Sequence, residues 1–231
     1  MPEPELNDDR GNHTEAGDDR RGGDGGDDMG GHRGDDTLQG GAGDDTIHGG
    51  DGTNYLRGED GDDHVSGGAG FDDINGNTGR DTLTGGGGDD WVVGGKDDDD
   101  LDGEDGRDIV YGNLGNDTLR GGLGLDLVRG GQGDDSIAGG AGDDWLSGDR
   151  GADTLSGGAG ADVFHIARGA GLERVIDFSR AEGDRIQIED HMTYTVTQTG
   201  ADTLIDFGGG DQVLLVGVQT TSLTGAWIFD S

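Results

Sequence analysis

The sequence predicts an all-β protein: a right-handed parallel β-roll, or β-solenoid, of about 8 coils with a β-rich C-terminal cap. Three observations predict it. The chain from Gly22 to His165 falls into 16 blocks of nine residues with no insertion or deletion. Glycine takes 55 of 231 positions, which excludes helix at ~1 kcal/mol lost per glycine relative to alanine. One apolar residue recurs in each block, flanked by two mostly polar ones, which suits a short strand with its middle side chain turned inward.

Clean blocks include GGAGDDTIH (Gly40 to His48) and GGAGDDWLS (Gly139 to Ser147). Position 1 is glycine in all 16, position 4 in all but Asp97, and position 6 is aspartate in all but Asn54. Position 8 is apolar throughout, from Met29 and Leu38 to Leu155 and Phe164. Six glycine-rich residues can make the φ > 0 turn between three-residue strands. Two blocks then make a coil of 18 residues, and 8 coils stacked about 4.8 Å apart make a rod of roughly 38 Å with a narrow core. The block before Gly22, HTEAGDDRR, keeps only Asp18 in register and reads as a decayed repeat or a disordered leader. Three regions follow: residues 1–21 as a disordered leader with one degenerate repeat, 22–165 as the roll, and 166–231 as cap and secretion-signal region.

Composition alone argues against any fold. Apolar residues make up 28% of the chain, and 51 acidic against 15 basic side chains give a net charge of −36. The charge excludes a nucleic-acid binder, since a phosphate backbone repels it. The absence of cysteine excludes disulfides and zinc–thiolate sites. No apolar run is long enough to span a membrane. The start, MPEPELNDDR, lacks the basic and apolar regions of an N-terminal signal peptide.

The stacking that buries the apolar residues also stacks the position-6 carboxylates of blocks n and n+2. Two bare carboxylates at ~4 Å repel by ~4 kcal/mol at an effective dielectric of 20. A cation is required, and glycine turns free backbone carbonyls to point at it. Oxygen donors alone select a hard ion with flexible coordination, calcium before magnesium and not zinc or copper.

The blocks match the GGxGxDxUx signature, and residues 22–165 resemble the RTX family of hemolysin-type calcium-binding repeats. The resemblance implies ions held between the turns of blocks n and n+2 by aspartate side chains and turn carbonyls. On one edge it assigns Asp27, Asp45, Asp63, Asp81, Asp99, Asp117, Asp135 and Asp153. On the other it assigns Asp36, Asn54, Asp72, Asp90, Asp108, Asp126, Asp144 and Asp162. Eight turns per edge leave seven gaps, so at most 14 calcium ions. The repeats carry a net −26, and 14 divalent ions would bring +28. Asn54 keeps an oxygen but loses a charge, so its neighbouring sites are expected to be weaker. Asp97 must take a left-handed conformation at a cost.

Outward positions 7 and 9 divide the two faces. Odd blocks carry mostly small polar residues, including Thr46, Thr82 and Thr118. His48 and His64 fall on this face, as a zinc pair or, on the plainer reading, as solvated side chains. Even blocks carry Tyr55, Trp91, Val93, Ile109, Tyr111, Leu127 and Trp145, a stripe too large for an unpartnered soluble face. The first reading is that the C-terminal segment folds back over it. A binding platform for sugar rings and a dimer interface are the alternatives.

After His165 the period stops. ADVFHIA, RVIDF, DRIQI, TYTVTQT, DTLIDF and DQVLLVGV read as short strands, with turns at Ala181–Gly183 and Gly208–Gly210. Residues 161–231 resemble the region that follows the repeats in serralysin-type secreted proteases. That resemblance implies an uncleaved C-terminal signal read by the type I secretion machinery of a Gram-negative bacterium, hence an extracellular protein.

No HExxH helix, nucleophile elbow or P-loop is present, so the chain reads as a non-enzyme. The expected function is a secreted calcium-binding protein that folds on calcium binding after type I export. The alternatives are a calcium-dependent polysaccharide or cell-surface (adhesin-like) binding module, similar to the calcium-roll modules of alginate epimerases, or the non-catalytic part of a split secreted enzyme.

Overall fold

One apolar side chain in nine residues leaves water only if successive strands stack, and the chain does this. The computed structural model describes residues 19–230. Two parallel stacks run along the molecule, in sheets of 11 and 12 strands. Even blocks build the first and odd blocks the second. The register is constant at 18 residues: Thr37 lies beside Tyr55, and Leu38 beside Leu56. The protein is a β-solenoid, as its repeat predicts.

The strands are longer than three residues. Thr37–Ala42 has six and Asn54–Asp60 has seven. The ladder continues into the next block because identical turns stack in register, so Gly41 pairs with Glu59 and Ala42 with Asp60. Along Asn54–Asp60 burial alternates, with Asn54, Leu56 and Gly58 inward and Tyr55 exposed. Positions 6, 8 and 1 therefore all face inward. Position 8 forms the core, a single file from Met29 and Leu38 to Leu155 and Phe164.

Glycine at position 1 is a matter of space. A Cβ on Gly121 would lie 2.6 Å from Asp126 Oδ2 and 2.6 Å from the Gly139 carbonyl oxygen of the next coil. Glycine at position 4 is a matter of conformation: Gly88 has φ 142° and Gly124 has φ 147°. Asp97 takes the expected left-handed conformation at φ 74°. Glu59, Asn77, Glu104, Asn113 and Asp149 at position 2 do the same, with φ between 70° and 82°.

Residues 19–21 form a strand beside Thr37–Gln39, so the decayed block still adds to the stack. Asp18 and the rest of the leader lie outside the described residues. At the other end the tail continues both sheets. Leu172–Val175 pairs with the strand Thr154–Ala159, and Arg185–Ile188 with Val163–Ile166. Ile228–Asp230, a strand not expected from the sequence, closes the first sheet. Asp211–Leu215, Asp202–Gly208 and Thr195–Thr199 close the second, the last two joining antiparallel. Phe164, Phe178 and Trp227 pack at the junction.

The tail therefore does not fold back over the aromatic stripe. Trp91 remains 43% and Tyr55 42% exposed. The physical reason is the open end of the last coil. Its unpaired N–H and C=O groups and its end core residue both need cover, and end-on stacking supplies both. Trp145, nearest the end, is reached by the tail, where its Nε1 donates to Gln187 Oε1 at 2.9 Å, and its ring stacks on His165 of the last repeat. Among the described residues no helix is long and apolar enough to cross a membrane.

Candidate metal centre

In seven of the sixteen turns positions 5 and 6 are adjacent aspartates, and the two do different work. At position 5 the carboxylate looks outward along the stack. Asp89 Oδ1 accepts the backbone N–H of Arg107 in the next coil at 3.1 Å, and Asp143 Oδ1 that of Ala161 at 2.8 Å. At position 6 the direction reverses. The backbone N–H of Asp90 donates to Asp108 Oδ1 at 2.8 Å, and that of Asp108 to Asp126 Oδ1 at 2.9 Å. The repeat pattern points to position 6; the position-5 ladder shows in the sequence only as the Asp-Asp pairs.

The position-6 ladder runs along both edges. On one it links Asp27, Asp45, Asp63, Asp81, Asp99, Asp117, Asp135 and Asp153. On the other it links Asp36, Asn54, Asp72, Asp90, Asp108, Asp126, Asp144 and Asp162. Oδ1 is thus spent on the preceding coil. Oδ2 is not: in every position-6 aspartate from Asp63 to Asp162 it is buried without a hydrogen-bond partner. Each lies in the space that a Cβ on its own position-1 glycine would fill, and at Gly58, Gly67, Gly85, Gly103, Gly112, Gly121 and Gly139 the glycine carbonyl of the next coil borders the same space.

A row of buried, unpaired carboxylate oxygens beside carbonyl oxygens is costly as it stands. Burial, aided by the neighbouring like charges, pushes the Asp99 carboxyl up to about 8 and those of Asp81, Asp108, Asp135 and Asp144 to about 7. A bound cation would reverse that preference. The donors are all oxygen, and this fits calcium. Among the described residues no three His, Cys, Asp or Glu side chains are arranged to hold a metal ion by themselves. An ion on either edge would therefore draw much of its shell from backbone carbonyls.

The structure adds two residues that the nine-residue period could not reveal. Arg174 pairs with Thr154, and Arg185 with Val163, which sets Glu173 and Asp184 at the next position-6 places. The two column ends differ. Asp184 has both oxygens engaged, by the N–H groups of Asp162 at 3.1 Å and Ser179 at 2.7 Å. Glu173 has neither engaged and no exposed surface. The Asp153 N–H turns to the Leu172 carbonyl instead. Burial, then the charge of Asp153, pushes the Glu173 carboxyl up to about 9.

Other chemistry-bearing groups are bound up in structure. Ser147, Asp149 and His165 meet, but Ser147 is fully buried and donates to Asp149 Oδ1 at 2.7 Å. Asp149 is also held by Arg129, at 2.6 Å. His48 and His64 approach edge-on with ring centroids 6.4 Å apart and form no metal-holding group with a third such residue. Along the uncovered face lies an open groove of about 780 Å³. Trp91, Ile109, Leu127 and Trp145 line it, with Phe71, Leu125 and the turn residues Asp89 and Arg107. Val93 and Tyr111 sit half-buried beside it on the same face.

Two edges of stacked carboxylates on a parallel solenoid define a class, the β-rolls built to hold hard cations between their turns. Residues 21–56, 30–65, 66–101, 93–128 and 129–164 match the RTX calcium-binding nonapeptide repeat, which is more than half of the chain. The chain belongs to this family of calcium-binding repeat proteins. No curated protein sequence matches it. Among solved structures it is similar to the extracellular lipase LipA from Serratia marcescens, at 20% identity and a TM-score of 0.43. That likeness covers 85% of this chain and 40% of the lipase chain.

Proposed function

We propose that the chain is a secreted calcium-binding protein whose roll folds when calcium reaches it outside the cell. The buried, unpartnered Oδ2 row carries this reading. In calcium-poor cytosol the repeats repel themselves and stay unfolded, a state suited to export through the type I secretion machinery. Outside, each site at ~10 times its dissociation constant adds ~1.4 kcal/mol, and several sites together decide folded against unfolded. The ligands are the position-6 aspartates of both edges, at most 14 ions in the repeats. Glu173 extends the first edge by one further carboxylate. Calcium, when bound, supplies the charge that holds successive coils together. The aspartates orient toward it through Oδ2 while Oδ1 fixes the backbone. The function is binding and folding, not catalysis. Far-UV circular dichroism tests the reading: coil in chelator, β structure on adding calcium. A β spectrum indifferent to chelator overturns it.

A second reading is favoured by one observation, the groove with Trp91 left exposed. Planar aromatic rings on a rigid face suit the flat faces of sugars. On this reading the roll is a calcium-dependent polysaccharide or cell-surface binding module. Trp91→Ala would then lose glycan binding while leaving calcium-driven folding intact. Equal glycan-array signals for parent and variant overturn it.

A further inference from the structure

One rung of the second column differs from the rest. Asn54 is buried in register between Asp36 and Asp72. Its Oδ1 accepts the Asp36 backbone N–H at 3.1 Å, the same bond that the aspartates make along the column. That N–H fixes the amide, because a flipped amide would set two donors face to face. Nδ2 therefore stands where the other rungs have Oδ2. It is buried without a hydrogen-bond partner, 2.6 Å from where a Cβ on Gly49 would lie. An amide nitrogen offers hydrogens and no lone pair to a cation. The spare oxygen that the sequence suggests at this rung is already in use.

The outer surface of the same coil carries a substitute. Arg57 reaches from the strand Asn54–Asp60 to the strand Asp72–Thr78. Its Nη2 lies 2.8 Å from Asp73 Oδ1, and Nη1 donates to the Asp73 carbonyl at 2.8 Å and the Leu56 carbonyl at 2.7 Å. The guanidinium sits over the Tyr55 ring, 3.5 Å from its centroid. Its side chain is only 15% exposed, against 70% for Arg80 and 69% for Arg107 in their own ion pairs. Half-buried, with two carbonyls, a carboxylate and an aromatic face, this arginine is placed to hold two coils together.

We propose that the rung at Asn54 binds no ion, and that the Arg57 guanidinium replaces calcium as the cation tying this coil to the next. The inference rests on the columns being calcium sites. Native mass spectrometry of the calcium-saturated full chain tests it by counting ions. Asn54→Asp is expected to hold one ion more than the parent, and an unchanged count overturns the proposal. Should Asn54→Asp fail to fold, Asn54→Ala serves: the parental count is expected, and a lower count overturns the proposal. Asp90→Asn, on the same edge, is expected to lose calcium. A parent that carries no calcium at all would instead sink the reading of the columns, a distinguishable failure. For the arginine, Arg57→Gln is expected to lower the urea midpoint of the calcium-loaded protein, and by less in the Asn54→Asp background. Equal losses in the two backgrounds would show that Arg57 does not stand in for an ion.

Discussion

The roll and the tail use the same residue for opposite ends. In the roll each position-6 aspartate from Asp63 to Asp162 spends Oδ1 on a backbone N–H and leaves Oδ2 buried and unpaired. In the tail three aspartates have both oxygens satisfied. Asp177 accepts from the Gly157 and Gly158 N–H groups and the Ser156 hydroxyl. Asp211 accepts from Gly169 and Gly171, and Asp184 from Asp162 and Ser179. These tail carboxylates meet N–H groups that another coil would otherwise have met. The comparison teaches that a carboxylate ends a solenoid when both oxygens find N–H donors, and calls for a cation when one does not.

The sharpest way to break this contrast is chelation followed by hydrogen exchange. Amides of residues 27–162 are expected to exchange at the unfolded rate in chelator and to be protected in calcium. Protection of the roll unaffected by chelator would erase the distinction.

Next comes glycine geometry. Gly85→Ala sets a Cβ 2.7 Å from both Asp90 Oδ2 and the Gly103 carbonyl oxygen, whereas a Cβ on Gly87 meets nothing within 4 Å. Gly85→Ala is expected to abolish calcium-driven folding or raise its calcium midpoint strongly, and Gly87→Ala to leave it near the parent. Circular dichroism titrations with similar midpoints for the two variants would contradict the cradle.

Proton competition gives a third test. Folded-state values are raised above the ordinary 3.8, to about 8 at Asp99 and about 7 at Asp81 and Asp144. The calcium-free roll therefore binds more protons than the unfolded chain between about pH 4 and 8. Its stability is greatest at the acid end of that window and falls as pH rises through it. Calcium binding has the opposite dependence, since it displaces those protons. In calcium-free buffer, β content is expected to be higher at pH 5 than at pH 8. The reverse order would show that the carboxylates are not desolvated.

A fourth test compares the column ends. Glu173→Gln is expected to cost bound calcium at the roll–tail junction. Asp184→Asn, whose oxygens are both taken by N–H groups, is expected to cost about 1–2 kcal/mol of stability and no ion. Ion counts by native mass spectrometry separate them. The smallest effect is expected at the surface: Arg107→Ala removes an exposed pair with Asp89 and should shift stability by less than ~1 kcal/mol in urea.

The sequence alone determined the period, the inward file of apolar residues, the two columns from Asp27 to Asp162, and the chemistry that demands a hard cation. These follow from a constant 18-residue offset, which places any residue beside its counterpart without knowledge of the rest of the fold. Tertiary structure decided what lies past that offset. Asp153 to Glu173 is 20 residues and Asp162 to Asp184 is 22, so neither end residue falls on the repeat. It also decided that the tail stacks end-on rather than over Trp91. That choice depends on which unpaired groups are costlier to expose, the open backbone edge of the last coil or an aromatic face, and no local pattern encodes the comparison. At Asn54 the residue type told of a lost charge. Only the Asp36 N–H, arriving from the neighbouring coil, decided which end of the amide faces the column.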